Sequence, residues 1–262
     1  MTQIPNLDVK TTKEEIINFI KNKVAEAHAD GIVVGLSGGI DSTVTAFLVT
    51  EAIGKENVFG VVMPSTTTPT EDKIHGTDLA KRLGIDYKEL AIDKILNEFL
   101  ILTDTSEETD NLAIGNLKAR IRMAIVYYFA NIKNYIVGGT SNKSEILIGY
   151  FTKYGDGASD MEPIGDLYKT EVRELAKYIG IPEEIISKPP RAGLWDNQTD
   201  EEEIGMPYEI LDRILYGYID LNKTSKEIAS EIDVPLDEVE RIIQKVKNNS
   251  HKTKIPATPK SI

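Results

Sequence analysis

The segment GIVVGLSGGIDS, residues 31–42, determines the fold that this sequence predicts. Its first half, Ile32 to Leu36, is a short apolar run of the kind that is buried in a parallel sheet. A helix should follow from about Asp41 to Ile53. The glycine pair Gly38 and Gly39 therefore lies in the turn between a strand and a helix.

Predicted strands and helices alternate along the N-terminal half of the chain. Apolar runs predict further strands at 58–63, 87–90 and 135–138, and helical periodicity predicts helices at 12–27, 71–83, 94–102 and 116–132. The first helix should open with a capping box that runs from Thr12 to Glu15. We expect an α/β fold, a doubly wound parallel sheet with helices on both faces, which binds ligands at the carboxyl ends of its strands.

The second half of the chain has longer irregular segments and shorter helices. Loops are predicted at 152–168 and 189–205, and helices at 170–179, 208–216, 225–232 and 236–247. This pattern predicts one domain over residues 1–262, with a helical C-terminal extension at 207–250. The loops at 152–168 and 196–206 are expected to become ordered when ligands bind.

The composition excludes several classes of function. Among 262 residues, 30 Lys and Arg stand against 42 Asp and Glu, a net charge of −12 that argues against a protein whose main task is to wrap nucleic acid. The sequence has no cysteine, which excludes disulfides, zinc–thiolate sites and thiol nucleophiles. It shows neither a signal-peptide pattern nor a long apolar run, so we expect a cytoplasmic protein without a membrane span.

The glycine pair has the chemistry of a phosphate-binding turn. Glycines allow backbone N–H groups to approach an anion, and the N-terminus of the following helix favours phosphate. Ser37 and Ser42 add hydroxyl donors, whereas Asp41 would repel bare phosphate and therefore suggests a bridging Mg²⁺. The segment is neither a Walker A loop nor a GxGxxG turn. It resembles the pyrophosphate loop of the N-type ATP pyrophosphatases. This resemblance implies a fold of the adenine nucleotide alpha hydrolase type, which has a Rossmann-like sheet.

Further segments narrow this resemblance. They are Asn116–Met123, Gly138–Glu145, Phe151–Gly157 with Asp160, Leu167–Thr170, Pro190–Trp195 with Gln198–Glu201, and His251-Lys252. Together, over about residues 12 to 258, the chain resembles the ammonia-dependent NAD synthetases. The resemblance implies a carbon–nitrogen ligase of NAD biosynthesis. Such an enzyme uses ATP to convert nicotinic acid adenine dinucleotide to an acyl-adenylate with release of pyrophosphate, after which ammonia displaces AMP. It also implies a homodimer.

The resemblance assigns roles to individual residues. It implies a catalytic part for Asp41 and Lys169, and Asp160 is a candidate for orienting ammonia. The implied ATP contacts are Gly35, Leu36, Ser37, Gly38, Gly39, Ile40, Asp41, Ser42, Thr140, Lys169 and Arg191. The implied Mg²⁺ ligands are Asp41 and Glu145, and the implied dinucleotide contacts are Arg120, Lys153, Asp160, His251 and Lys252.

Position 191 departs from the family pattern, which usually has Thr or Ser there. Arg191 either replaces the hydroxyl with a stronger phosphate contact or points away from the nucleotide. The apolar stripe on the predicted helix at 116–132 also has two interpretations, core or dimer surface. Its members are Ile121, Ile125, Tyr128, Phe129 and Ile132.

Three other functions compete with this interpretation. The first is another pyrophosphatase of the same fold, such as a tRNA-modifying enzyme or the synthetase half of GMP synthetase, although the absence of cysteine excludes the thiolating tRNA enzymes that use one. The second is a DNA-binding regulator, because residues 224–247 have the spacing of a helix-turn-helix. Its second helix, however, starts with acidic residues where DNA contacts would be expected. The third is a module that senses ATP without chemistry. No glutaminase domain precedes the loop in this sequence, so free ammonia or a separate partner is the expected nitrogen source.

Overall fold

The computed structural model describes residues 2–191 and 199–259, and its sheet has four parallel strands in that part of the chain. They are β1 (Gly31–Gly35), β2 (Val58–Val62), β3 (Asp86–Glu89) and β4 (Tyr135–Gly138), in the order β3-β2-β1-β4. In the register of the sheet, Val34 of β1 is opposite Gly60 of β2 and Gly138 of β4. The strand order therefore reverses at β1 and β4, where open α/β sheets place their ligands.

Helices cover both faces of this sheet. One layer contains α1 (Val9–Glu26), α2 (Ile40–Ile53), α3 (Thr70–Leu83) and α7 (Lys169–Tyr178), and the other contains α5 (Asn111–Lys133) with α4 (Asp93–Thr103) packed on it. Ile32 and Val34 of β1 face the first layer and Val33 faces the second, and all three are fully buried. The apolar run that opened the sequence analysis is thus a central strand, and the predicted doubly wound fold is confirmed.

Most of the remaining helices form a smaller core of their own. They are α6 (Lys143–Ile148), α9 (Asp200–Ile204), α10 (Tyr208–Leu215), α11 (Ser225–Ile232) and α12 (Leu236–Asn249), with a π turn at Tyr216–Asp220 and a 3-10 turn at Ser250–Lys252. The short helix α8 (Glu183–Ile186) packs with the first layer through Ile185 and Ile186, and a 3-10 turn at Lys55–Asn57 precedes β2. In the smaller core, Leu211, Ile228 and Ile242 pack around Ile148 of α6. This cluster joins the predicted C-terminal helices to an element that follows β4.

The main differences from the predicted elements lie at helix starts and in short helices. The predicted capping box at Thr12 is wrong, because the Asp8 side chain accepts the N–H of Thr11 and α1 starts at Val9. Asp110 caps α5 in the same way, and the helix begins at Asn111, five residues before its predicted start at Asn116. Helices α6 and α9 have 6 and 5 residues, too few to show a helical period, and α9 lies inside the predicted loop at 189–205.

Candidate active site

The glycine pair follows β1 at the point where the strand order reverses. Gly38 has a φ of 78°, and a Cβ there would lie 2.1 Å from the carbonyl oxygen of Asp72. Gly39 precedes α2 as its N-cap, and a Cβ there would meet nothing closer than Ser37 Oγ at 3.4 Å. The backbone therefore requires glycine at Gly38, whereas Gly39 leaves space in front of the helix N-terminus.

Two serine hydroxyls hold this loop in shape. Ser37 Oγ accepts the N–H of Gly39 at 3.2 Å and lies 2.9 Å from Ser42 Oγ. Ser42 Oγ also donates to the carbonyl oxygen of Gly39 at 3.1 Å. Both hydroxyls bond within the loop, so they fix the backbone N–H groups that would face an anion.

A cleft with a volume of about 310 Å³ opens in front of the loop. Its walls come from the loop, from the carboxyl ends of β2 and β4, and from α5. Most of the predicted ATP and metal residues line it: Gly35, Leu36, Ser37, Gly39, Ile40, Asp41, Ser42, Thr140, Glu145, Lys169 and Arg191. Gly38 instead packs against α3. The structure thus collects residues that are more than 150 positions apart around one cavity.

One end of the cleft holds a buried ionic cluster. Lys169 Nζ lies 2.5 Å from Asp41 Oδ2 and 3.3 Å from Glu145 Oε1, and its side chain is only 2% exposed. Asn142 caps α6 in a capping box with Glu145, and its amide donates to Asp41 Oδ1 at 3.0 Å. Lys169 is the first residue of α7, and its N–H donates to Ser144 Oγ. Three helix starts therefore bring these charges together.

Burial sets the protonation of this acidic end, which we define as Asp41, Glu145, Lys169 and Asp200. Burial raises the pKa of Glu145 to about 8, against the opposing effect of Lys169, and raises that of Asp200 to about 6. Burial by itself would lower the pKa of Lys169, but Asp41 and Glu145 outweigh it and the pKa is raised. Lys169 is consequently protonated at neutral pH and faces three carboxyl groups.

The donor set fits Mg²⁺ that arrives with phosphates. Among the described residues, no three His, Asp or Glu side chains converge in a preformed metal site. Asp41 and Glu145, however, already share one cation, the ammonium of Lys169. Mg²⁺ is commonly bound by one or two carboxylates together with water and substrate phosphates. Two converging carboxylates beside a phosphate loop meet that requirement.

The sequence analysis assigned no role to several residues that line the cleft. The guanidinium of Arg122 donates to the carbonyl oxygen of Met63 at 3.0 Å, and burial lowers its pKa. Asp156 accepts the N–H of Thr152 at 2.9 Å, and burial raises its pKa. Both residues stand inside quoted motifs, two and three positions after the assigned Arg120 and Lys153. The motifs therefore contained these residues, but the sequence did not show which of two neighbouring charged side chains faces the cleft.

A second group of missed residues surrounds the acidic end. The hydroxyl of Tyr208 lies 3.5 Å from both Glu145 Oε1 and Asp200 Oδ2. The hydroxyl of Tyr150 lies between two carboxylates that share its single proton, 3.1 Å from Asp200 Oδ1 and 2.7 Å from Glu203 Oε2. No local pattern in the sequence marks these side chains, because they meet only through the packing of α9 and α10 against α6.

Arg191 lines the cleft but binds α3. Its Nε donates to Asp72 Oδ2 at 3.1 Å, and its NH2 donates to Glu71 Oε1 at 2.6 Å. Lys188 pairs with the same carboxylate of Asp72 and donates to the carbonyl oxygen of Gly38 at 3.5 Å. The guanidinium therefore lies at the mouth of the cleft with its donors turned towards acidic partners. Residues 192–198 lie outside the described residues. They include the rest of the motif around Arg191 and the first part of the loop at 196–206 that was predicted to become ordered on ligand binding.

Four of the five predicted dinucleotide contacts, Arg120, Lys153, His251 and Lys252, form a separate group. Arg120 donates to the carbonyl oxygen of Lys153 at 3.3 Å, and Lys153 Nζ donates to that of His251 at 2.9 Å. Lys252 Nζ donates to the carbonyl oxygens of residues 149 and 151 at 2.7 and 3.0 Å. Asp160 lies apart and accepts the N–H of residue 137 at 2.7 Å. None of these five described residues lines the cleft.

The match to known proteins covers almost the whole chain. A family model described as NAD synthase matches residues 12–256. The chain belongs to the NAD synthase family. The NH3-dependent NAD+ synthetase of Methanocaldococcus jannaschii is 53% identical, covering 94% of this chain and 96% of that protein. The corresponding protein of Methanococcoides burtonii is 45% identical, covering 95% of each chain.

Solved structures of the NAD synthase family agree with this fold. An NMN synthetase from Francisella tularensis has a TM-score of 0.85 and 35% identity, covering 97% of this chain and 99% of that one. An NH3-dependent NAD synthetase from Campylobacter jejuni, in complex with the nitrate ion, has a TM-score of 0.81 and 34% identity, covering 97% and 100%. The resemblance noted in the sequence is confirmed, and with it the class of carbon–nitrogen ligases.

The second helix of the helix-turn-helix pattern is part of the C-terminal core. Helix α12 has Asp237 and Glu238 in its first turn, and its apolar face packs in the C-terminal core. Across the described residues, no helix combines the length and the apolarity that crossing a bilayer requires.

Proposed function

We propose that this protein makes NAD by ATP-dependent amidation of nicotinic acid adenine dinucleotide with ammonia. Nearly full-length similarity to NH3-dependent NAD+ synthetases supports the reaction. The observation that carries the assignment to this cleft is the meeting of Asp41, Glu145 and Lys169 beside the phosphate loop. A cleft that holds phosphates at one end and charged groups beside them suits adenylate transfer.

The first step activates the carboxylate of the acid dinucleotide. A carboxylate oxygen attacks the α-phosphorus of ATP, the bond from that phosphorus to the oxygen bridging to the β-phosphorus breaks, and pyrophosphate leaves with the electron pair. The N–H groups of the loop and the N-terminus of α2 hold the phosphates in line. The buried ammonium of Lys169 stabilises the charge that grows on the leaving pyrophosphate.

The second step forms the amide. The lone pair of ammonia attacks the acyl carbon, the bond to the phosphate oxygen of AMP breaks, and one proton is released. A carboxylate near the acyl carbon would orient ammonia and accept that proton. Asp160 is the candidate from the sequence, but it does not line the cleft, and its carboxylate accepts from the N–H of Val137 and the hydroxyl of Tyr127. Asp156 lines the cleft and is therefore the better placed of the two carboxylates.

Asp41 and Glu145 would hold Mg²⁺ in this proposal. The ion would neutralise part of the charge on the phosphates when it is bound. Glu145 is suited to this part because its carboxylate is buried and oriented by the capping box at the start of α6.

A second copy of the chain is the proposed partner of the apolar face of α4 and α5. The stripe on α5 divides, since Ile121 and Phe129 are buried whereas Tyr128 and Ile132 are 62% and 59% exposed. Phe99 of α4 adds to the exposed part, and a groove of about 390 Å³ lies between the two helices. A continuous apolar face of this kind is typical of an interface.

The dimer is tested by Tyr128→Glu in sedimentation velocity. We expect the wild type to sediment as a dimer and the variant as a monomer, because a carboxylate in an apolar interface is costly. Lys133→Glu, a charge change at the end of the same helix, is the control. A wild type that is monomeric at micromolar concentration would contradict the proposal.

The reaction is tested with ATP, Mg²⁺, ammonium and nicotinic acid adenine dinucleotide. We expect AMP, pyrophosphate and NAD in equal amounts, and no AMP when the dinucleotide is omitted. Hydrolysis of ATP without amide formation would contradict the proposal and would favour a different acceptor.

Nicotinic acid mononucleotide is the second candidate acceptor. It is favoured by the similarity to the NMN synthetase from Francisella tularensis, at a TM-score of 0.85. The same assay with the mononucleotide decides between the two, because the true substrate gives the higher kcat/KM.

A further inference from the structure

A row of polar side chains follows one edge of α12 and the turn after it. We call it the α12 stripe and define it as Arg241, Lys245, Asn249 and Lys252. The intervals of four, four and three residues place them on one side of a helix. This is the second helix of the helix-turn-helix pattern, to which the proposed reaction assigns no role.

At one end, the α12 stripe holds α9. Arg241 NH1 donates to the carbonyl oxygen of Ile204 at 2.8 Å, where α9 ends. The next residue, Gly205, has a φ of 83°, and a Cβ there would lie 3.2 Å from the guanidinium. The contact therefore closes the carboxyl end of the short helix that begins with Asp200.

At the other end, the α12 stripe holds residues 148–151. Asn249 Nδ2 donates to the carbonyl oxygen of Ile148 at 2.9 Å, and Lys252 Nζ donates to those of Gly149 and Phe151. A Cβ on Gly149 would lie 2.3 Å from Asn249 Cβ, so the glycine permits the close approach. Three donors from the α12 stripe thus satisfy the carbonyl oxygens at the end of α6.

Tyr150 joins the two held segments. Lys245 Nζ lies 5.9 Å from the centre of its ring, on the α12 side. Its single hydroxyl proton is shared between Asp200 Oδ1 and Glu203 Oε2 of α9, and burial raises the pKa of Tyr150, which keeps the hydroxyl a neutral donor. Asp200 lines the cleft and faces Lys169. Burial raises the pKa of the Asp200 carboxyl, and the charge of Lys169 partly offsets that increase.

We propose that the α12 stripe is a positioning element of the amidation reaction. It holds the segment of Tyr150 and the helix of Asp200 in place, and the contact between these two side chains then keeps Asp200 in the cleft. The proposal rests on the proposed function. It gives α12 a part in the reaction through its hold on α9 and on residues 148–151.

The kinetic test uses Asn249→Ala and Tyr150→Phe, alone and together. We expect each single change to lower kcat/KM for NAD formation about tenfold, and the double variant to be little worse than either, because both break one chain of contacts. Lys247→Ala, an exposed lysine on the same helix, is the control and should retain wild-type kinetics. Effects that multiply in the double variant, or an Asn249→Ala protein with wild-type kcat/KM, would overturn the proposal.

Amide hydrogen exchange tests the positioning without catalysis. In Asn249→Ala and Arg241→Ala we expect faster exchange in residues 148–153 and 200–205, with unchanged exchange in β1. Unchanged exchange in both segments would overturn the proposal even if activity fell. A wild type that makes no NAD while these exchange effects persist would refute the proposed function alone and leave the positioning intact.

Discussion

The acidic end of the cleft and the predicted dinucleotide group are both rich in charge, but their charges bind different partners. At the acidic end, Lys169 pairs with Asp41 and Glu145, and its side chain is only 2% exposed. In the other group, Arg120 and Lys153 donate to backbone carbonyl oxygens near the surface. Removing one member of a buried ionic set leaves its partners uncompensated, whereas a surface lysine can exchange a carbonyl for a ligand at small cost. The first region is therefore set before ligands bind, and the second is free to rearrange.

The largest expected effect separates the two regions directly. Asp41→Asn should lower kcat by about 1000-fold, because transition-state charge loses a stabilising group. The fold should persist, since Lys169 keeps Glu145 as its partner. Turnover and thermal unfolding are measured together. A fully active Asp41→Asn protein would contradict the assignment of Asp41 as a Mg²⁺ ligand. It would also contradict the difference between the acidic end and the predicted dinucleotide group.

The second prediction concerns pH at the acidic end. Burial raises the pKa of Glu145 to about 8, so below that pH its carboxyl is largely protonated. Mg²⁺ requires the ionised form and releases the proton, so the apparent affinity for Mg²⁺ should increase with pH and level off above about 8. The slope should approach about tenfold per pH unit below that value.

Titration of Mg²⁺ in the presence of ATP and without ammonium measures this slope. Glu145→Gln should weaken Mg²⁺ binding and flatten the pH dependence, and the exposed Glu174→Gln is the control. A wild type with the same Mg²⁺ affinity at pH 6.5 and 8 would contradict this prediction, and a Glu145→Gln protein with wild-type affinity would show that Glu145 is not a ligand.

The third prediction divides the glycine pair. Gly38→Ala should lower the melting temperature by several degrees, because a positive φ and a contact of 2.1 Å with Asp72 both oppose a side chain. Gly39→Ala should leave the melting temperature unchanged and raise the KM for ATP about tenfold, because its methyl group enters the space before α2. Calorimetry and steady-state kinetics on both proteins provide the measurement, and identical behaviour would contradict the assignment.

The smallest effect is expected at the surface group. Arg120→Ala should raise the KM for the acid dinucleotide about threefold to tenfold and leave the KM for ATP unchanged, since it removes one exposed charge contact. Arg82→Ala, an arginine near the end of α3, is the control. Equal changes in both KM values would place Arg120 in the structure of the cleft and weaken the contrast.

The same contrast explains which parts of the molecule could be predicted from the sequence. The phosphate loop is contiguous and lies between a buried strand and a helix, so residues 31–42 alone predicted its place at the sheet edge. Asp200 and Tyr150 reach the cleft only through the packing of short helices, which leave no period to detect. The start of α1 was missed because one side chain, Asp8, decides it.

The strand order has a consequence for how the protein acquires its activity during synthesis. The ion pair between Asp41 and Lys169 spans 128 positions, and β4 joins β1 only after β2 and β3 have taken their places along the chain. A ribosome-bound chain that has emerged as far as β3 therefore possesses the glycine turn without its counter-charges. Competence to adenylate arises late, and an unfinished polypeptide cannot consume ATP at this centre.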